Sequence, residues 1–158
     1  MRKIWVSYAE NQQLRKRTRA RELALLALYQ LDLRGDEVLD DIARLISEGT
    51  DDPGVRLFAR ELVDGCRAQR ATLDATIAAA ADNWAIGRMS SIDRNVLRMA
   101  AFELLCCDDI PPKVSINEAV HLAKTYASTQ SGAFVNGVLD RILRECAATP
   151  DAPDASDG

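Results

Sequence analysis

Apolar residues recur along the chain at helical spacing, and no segment alternates in the way a strand would. Leu23, Ala24, Leu25, Leu26, Ala27, Leu28 and Leu31 are apolar almost all round, which predicts a first helix over about residues 16–33, set deep in the fold and ended by Gly35. Val38, Leu39, Ile42, Leu45 and Ile46 mark one face of a second helix, with Asp36 as its cap and Gly49 as its stop. In TDDPGVRLFARELVDGC, Asp51 or Asp52 caps a third helix and Pro53 suits its first turn; Val55, Phe58, Leu62 and Val63 form its apolar stripe. A break near Gln69–Thr72 precedes a helix holding Leu73, Ile77 and Ala78 to Ala81. DNWAIGRM then reads as a loop with Trp84 packed against the core.

SSIDRNVLRMAAFELLCC opens on Ser90 with Asp93 three residues on, a start resembling a capping box, and Ile92, Val96, Met99 and Ala100 share a face. The prolines of DDIPPK cannot continue that helix. SINE, Ser115 to Glu118, reads as a capping box opening the next helix, which carries Ile116, Ala119, Ala123 and Tyr126 on one side. STQSG interrupts, and AFVNGVLDRILREC follows with Phe134, Val135, Val138, Leu139, Ile142 and Leu143 as its stripe. About seven helices joined by short loops predict an all-α, compact bundle. The expected divisions are a flexible arm over 1–14, the helical domain over 15–146, and an acidic, proline-containing tail over 147–158 expected to be disordered.

Composition narrows the class. A chain of 158 residues is long enough for one domain with its own core, and 47% hydrophobic with 28% charged residues is an ordinary globular mix. No apolar run reaches the roughly 18 residues that span a membrane, and MRKIWVSYAENQQ lacks the apolar segment of a signal peptide, so a cytoplasmic protein is expected. Cys66, Cys106, Cys107 and Cys146 form no C-x-x-C pair, and His121 is the single histidine. No zinc site is expected, and the cysteines read as free thiols. Motifs for phosphate loops, dinucleotide binding and nucleophile elbows are absent, so no catalytic residue and no cofactor is assigned. His121 reads as a solvated or packed side chain. The acidic cluster Asp36, Glu37, Asp40 and Asp41 reads as a helix start favoured by the helix dipole.

Charge is the anomaly. The net charge is −4, yet residues 1–34 hold eight basic and three acidic side chains. Arg15, Lys16, Arg17, Arg19 and Arg21 crowd into seven residues at the mouth of the apolar first helix. Cations at a helix start oppose the dipole by about 0.3–1 kcal/mol each. A rigid platform that holds them out, beside the free N–H groups of a first turn, suits a nucleic-acid backbone better than a merely solvated tail would explain. Two later helix starts add to this, Lys113 before Ser115 and Ser131–Gly132 before the last helix. Tyr126 and Phe134 flank the STQSG loop and are candidates to stack on unpaired bases, though Phe134 fits the core stripe better.

RARELALLALYQLD (19–32), SSIDRNVLRMAAFELL (90–105) and IPPKVSINEAVHLAKTYASTQSGAFVNGVLDRI (110–142) together resemble the NusB family of bacterial transcription antitermination factors. KVSINEAV, KTYA and FVNGVLD are the most specific elements, and residues 33–81 match in helix pattern more than in residues. The resemblance implies two small helical subdomains and no catalysis. It implies pairing with ribosomal protein S10, binding of boxA-type single-stranded RNA, and an RNA polymerase antitermination complex that resists termination, notably on ribosomal RNA operons. Carried onto this chain, it places RNA contacts at Arg17, Arg19 and Arg21. Thr18 stands where an arginine is frequent, with Arg15 and Lys16 nearby to compensate. It places Lys113, Tyr126 and the loop at Ser131–Phe134 on the RNA side, and Tyr29 and Asp93 toward S10. Some family members form homodimers. Two alternatives remain: a helical RNA-binding module related to the N-terminal domain of ribosomal RNA cytosine methyltransferases, and a helical module that binds only proteins.

Overall fold

The computed structural model describes residues 2–82 and 84–148, with side chains placed from Ala9 to Cys146. Seven α-helices follow one another: α1 (Arg2–Arg34), α2 (Leu39–Gly49), α3 (Pro53–Ala68), α4 (Arg70–Ala80), α5 (Ser91–Cys106), α6 (Pro112–Tyr126) and α7 (Thr129–Ala148). Short 3-10 turns at Gly35–Val38 and Ile86–Arg88 lead into α2 and precede α5, and no strand occurs among the described residues. The helices α1–α3 pack on one another, as do α4–α7, and α5 lies against α1 and α3 as well, joining both groups through one continuous core.

Local chemistry sets most of the boundaries. Gly35 adopts φ 73°, the left-handed conformation that ends α1. Asp52 Oδ1 accepts from the N–H groups of Gly54 and Val55 at 2.8 and 3.2 Å, with Pro53 at the first helical position of α3. Ser90 Oγ accepts from the Asp93 N–H at 3.1 Å to open α5. The gap between α3 and α4 has shrunk to the single turn residue Gln69. Gly65 lets α3 and α5 approach closely: a Cβ there would stand 2.2 Å from Phe102 Cζ.

Several expectations change. The first helix starts at Arg2 rather than near residue 16, so residues 2–14, expected as an arm, continue α1 without a break. The tail expected from 147 is described only at its first two residues, which end α7; residues 149–158 lie outside the described residues. Trp84 is 55% exposed rather than packed inward. SINE caps nothing: α6 begins three residues earlier, because Pro112 suits a first helical position, and Ser115 lies buried inside the helix. STQSG is not a loop either. Ser128 Oγ accepts from the Ser131 N–H at 3.0 Å, and α7 begins at Thr129.

Candidate nucleic-acid interface

The five cations of α1 are sorted by helical phase. Residues four apart share a face, so Arg15 and Arg19 point one way, and Arg17 and Arg21 another. The second pair falls in line with Ala24 and Leu28, which are buried. Arg15 and Arg19 lie on the exposed face. Arg15 makes no ion pair among the described residues, and Arg19 reaches Glu22 at 3.1 Å and the Gly49 carbonyl at 3.1 Å. Lys16, on the flank toward α3, pairs with Asp52 at 3.1 Å. That Lys16 hydrogen bond, followed by the one from the Val55 N–H, holds the Asp52 carboxyl below the ordinary carboxylate range.

Arg17 is partly covered. Its guanidinium stands 4.5 Å from the centre of the Phe58 ring and 3.6 Å from Asp109, in the turn before α6. Thr18, on the opposite flank, puts its hydroxyl 2.9 Å from Glu118 of α6.

Arg21 corrects the expectation most sharply. Its side chain is 1% exposed, so it offers no surface to a phosphate. Nε and Nη2 donate to the two carboxylate oxygens of Glu103 at 2.9 and 2.6 Å, a bidentate pair inside the protein. Ser115 donates to Glu103 Oε1 at 3.0 Å, and Glu118 stands 3.9 Å from Arg21 Nη1. Ser115 and Glu118 thus belong to an electrostatic joint between α1, α5 and α6. Nη1 itself has no hydrogen-bond partner among the described residues. The proposed assistance from free helix-start N–H groups also lapses, because residues 15–21 lie well inside α1 and their amides belong to its ladder. For the same reason these cations carry no dipole penalty, which is confined to the first turn.

The other candidates fall at two places. Lys113 is exposed in the first turn of α6, close to Asp109 and so to the Arg17 end of α1. Tyr126, 40% exposed, closes the same helix. Thirteen residues at 1.5 Å each separate the two by about 20 Å along the helix axis. Ser131, half-buried in the first turn of α7, lies just beyond that end, its hydroxyl 3.3 Å from Ser128 Oγ. Phe134 is partly buried, with one side packed against the core.

Tyr29 is half-buried near the far end of α1. Asp93 is half-buried in the first turn of α5, and its Oδ1 has no hydrogen-bond partner among the described residues. Nearby, Asp32 ties α1 to α5. It accepts from Ser91 at 2.8 Å and from Arg94 at 2.6 Å, and Arg98 lies 3.7 Å away while also gripping Asp74. Sequence reading missed this network and the Arg21–Glu103 pair, since Asp32 and Arg21 each meet partners more than 50 positions away.

Among the described residues no group of His, Cys, Asp and Glu is placed to hold a metal ion, and no helix is long and apolar enough to cross a membrane. Cys66 is buried, and its burial pushes the thiol up to about 12.

Comparisons with known proteins agree with this architecture. Residues 18–144 match the family model described as the NusB family. A transcription antitermination protein NusB from Anaeromyxobacter sp. (strain Fw109-5) is 48% identical over 128 residues, covering 80% of this chain and 89% of that protein. One from Trichlorobacter lovleyi is 46% identical over 143 residues, covering 89% and 96%. Among solved structures, T. maritima NusB superposes with a TM-score of 0.73 at 39% identity, covering 82% of this chain and 91% of its own. A chain from a crystal structure of antitermination factors NusB and NusE in complex with dsRNA reaches a TM-score of 0.76 at 31% identity, covering 83% and 98%. The family match reaches into every helix and includes Arg19, Lys113 and Tyr126, while Arg15, Lys16 and Arg17 stand just before it, and the chain belongs to the NusB family.

Proposed function

We propose that this chain is a non-catalytic transcription antitermination factor that binds RNA through the exposed cations of α1. The observation that carries the reading is the outward pair Arg15 and Arg19, held on a helix whose inner face is locked into the core, with Lys16 beside it on the α3 flank. Such guanidinium and ammonium groups meet phosphates without an ordering cost to the backbone. Arg17 joins them from its half-covered position. Arg21 is a support rather than a contact, and Phe134 is partly buried against the core.

The preferred ligand is boxA-type single-stranded RNA. Tyr126 supports this choice, since an exposed aromatic ring about 20 Å along α6 from Lys113 suits an unpaired base further down the same strand. Ribosomal protein S10, the NusE of the similar complex, is the proposed partner, with Tyr29 and Asp93 toward it. Together they would act on RNA polymerase in the cytoplasm so that it resists termination, notably on ribosomal RNA operons. A second copy of the chain covering the same face would compete with RNA.

The test compares a boxA-like RNA with a scrambled one, each with and without S10. Tightest binding is expected for the boxA-like strand with S10 present. Equal binding in all four combinations would remove the reading and leave a module that binds only proteins. Arg15→Ala with Arg19→Ala should flatten the salt dependence, reducing the slope of log affinity against log salt by roughly 1.4, at about 0.7 per phosphate contact.

A further inference from the structure

A cleft of about 500 Å³ opens between the N-terminal half of α1 and the turn leading into α6. Its walls are apolar: Leu14 on one side, Ile110, Pro111 and Val114 on the other. Glu10, Arg17 and Asp109 stand among them, and Arg21 contributes to the lining. The cleft lies on the Arg17 and Arg21 side of α1, across the helix from Arg15 and Arg19, with Lys113 close by in the first turn of α6, and its own charge is balanced. Two carboxylates offset two guanidinium groups, and Glu103 already neutralises Arg21, so the cleft repels a phosphate rather than attracting one. Its volume suits a small ligand, and its flat apolar walls with a few polar groups suit a neutral one.

We propose that this cleft takes one unstacked nucleobase, guanine in preference, from the RNA strand whose phosphates lie on the neighbouring cations. This rests on the RNA-binding reading above. Splayed single-stranded bases are read on their Watson–Crick edges by side chains, and an apolar slot replaces the stacking they lose. Guanine presents N1–H and N2–H₂ side by side, and one carboxylate accepts from both. Asp109 is placed for this. It is 74% exposed, neither of its carboxylate oxygens accepts a hydrogen bond among the described residues, and Arg17 at 3.6 Å lies beyond hydrogen-bonding distance. Arg17 supplies the complementary donor for guanine O6. Adenine, with an acceptor at N1, turns a lone pair toward the Asp109 carboxylate.

The test uses the full chain and fluorescein-labelled ten-nucleotide RNAs: all uridine, or uridine with one central guanosine, inosine or adenosine. Fluorescence anisotropy at low salt gives each affinity. The guanosine strand is expected to bind about tenfold tighter than all-uridine, the discrimination typical of one bidentate base contact. Inosine, lacking N2–H₂, should lose most of that gain, and adenosine all of it. Asp109→Asn removes a negative charge beside Arg17, so it should raise all-uridine affinity while cutting the guanosine-to-uridine ratio to within twofold. Leu14→Ser, at a position 41% exposed, should lower the same ratio. Equal affinity for guanosine and uridine strands, or a ratio untouched by Asp109→Asn, overturns the base pocket while leaving RNA binding intact. Failure of every strand to bind overturns the RNA reading and the pocket with it.

Discussion

Removing the Arg21 side chain separates its structural role from the role its neighbours play. Arg21→Ala would leave Glu103, itself 1% exposed, ionised among α1, α5 and α6 with only the Ser115 hydroxyl as donor. Deleting one member of a buried ion pair costs roughly 3–5 kcal/mol, mostly from the stranded charge. Urea unfolding slopes of small proteins lie at about 1–3 kcal/mol per molar, so the midpoint should fall by about 1.5–2.5 M at a slope near 2. The assay is helical circular dichroism against urea. Replacing both partners, Arg21→Met with Glu103→Met, should recover most of the loss, since an apolar pair leaves no buried charge and Ser115 can turn its hydroxyl to a carbonyl of its own helix. Arg21→Lys should recover little, because an ammonium cannot reproduce the two-pronged contact seen at 2.6 and 2.9 Å. Arg15→Ala and Arg19→Ala, on the exposed face, should each stay within about 0.5 kcal/mol of the parent. An Arg21→Ala protein less than about 1 kcal/mol below the parent would refute the assignment of Arg21 as a support.

Gly65→Ala should lower stability by about 1–3 kcal/mol, since the new methyl meets the end of the Phe102 ring and the ring must shift to admit it; an unchanged melting temperature would show that the ring gives way freely. Burial alone would raise the Asp32 carboxyl, but the Ser91 and Arg94 hydrogen bonds and the charges of Arg94 and Arg98 outweigh it and hold it below the usual 3.8. A folded value below the unfolded one means the stabilisation is fully present above about pH 4 and is lost as pH falls through the folded value. Melting temperatures of Asp32→Asn followed from pH 7 to pH 2 should therefore show a shallower acid decline than those of the parent, and parallel curves would count against this network. At pH 8, Cys106 and Cys146, both exposed, should react with a thiol reagent well before Cys107, whose burial raises its thiol to about 11, and before buried Cys66; four equal rates in the folded protein would contradict the core assigned here.

Most of the helical frame was legible in the sequence because it rests on local signals: the apolar spacing of α2 to α5, Asp52–Pro53, Ser90 and Gly35 all act within a few residues of themselves. The misreadings arose where one local signal competed with a tertiary one. SINE has the spelling of a capping box, yet Ser115 and Glu118 serve Glu103, Arg21 and Thr18 from inside α6, and Pro112 had already started the helix. Trp84 was expected against the core, but the turn that follows α4 leaves it 55% exposed.

The basic segment held more information than its charge. Extending the apolar period of α1 backward from Leu28 and Ala24 lands on Arg21 and Arg17, so phase alone places one pair of arginines inward and Arg15 with Arg19 outward. What phase cannot supply is the partner, because Glu103 lies 82 residues away and nothing local marks it. An arginine on an apolar stripe therefore asks for a buried carboxylate elsewhere in the chain, just as an arginine opposite that stripe asks for a ligand outside it. The two demands are coupled through one rigid helix. Cations on the outer face are held in register only while Arg21 and Glu103 hold the inner face against α5 and α6. RNA affinity should thus be sensitive to the buried pair through helix placement, and to Arg15 and Arg19 through charge, and the salt slope tells the two apart. Loss of placement lowers affinity at every salt concentration alike, whereas loss of a phosphate contact changes the slope.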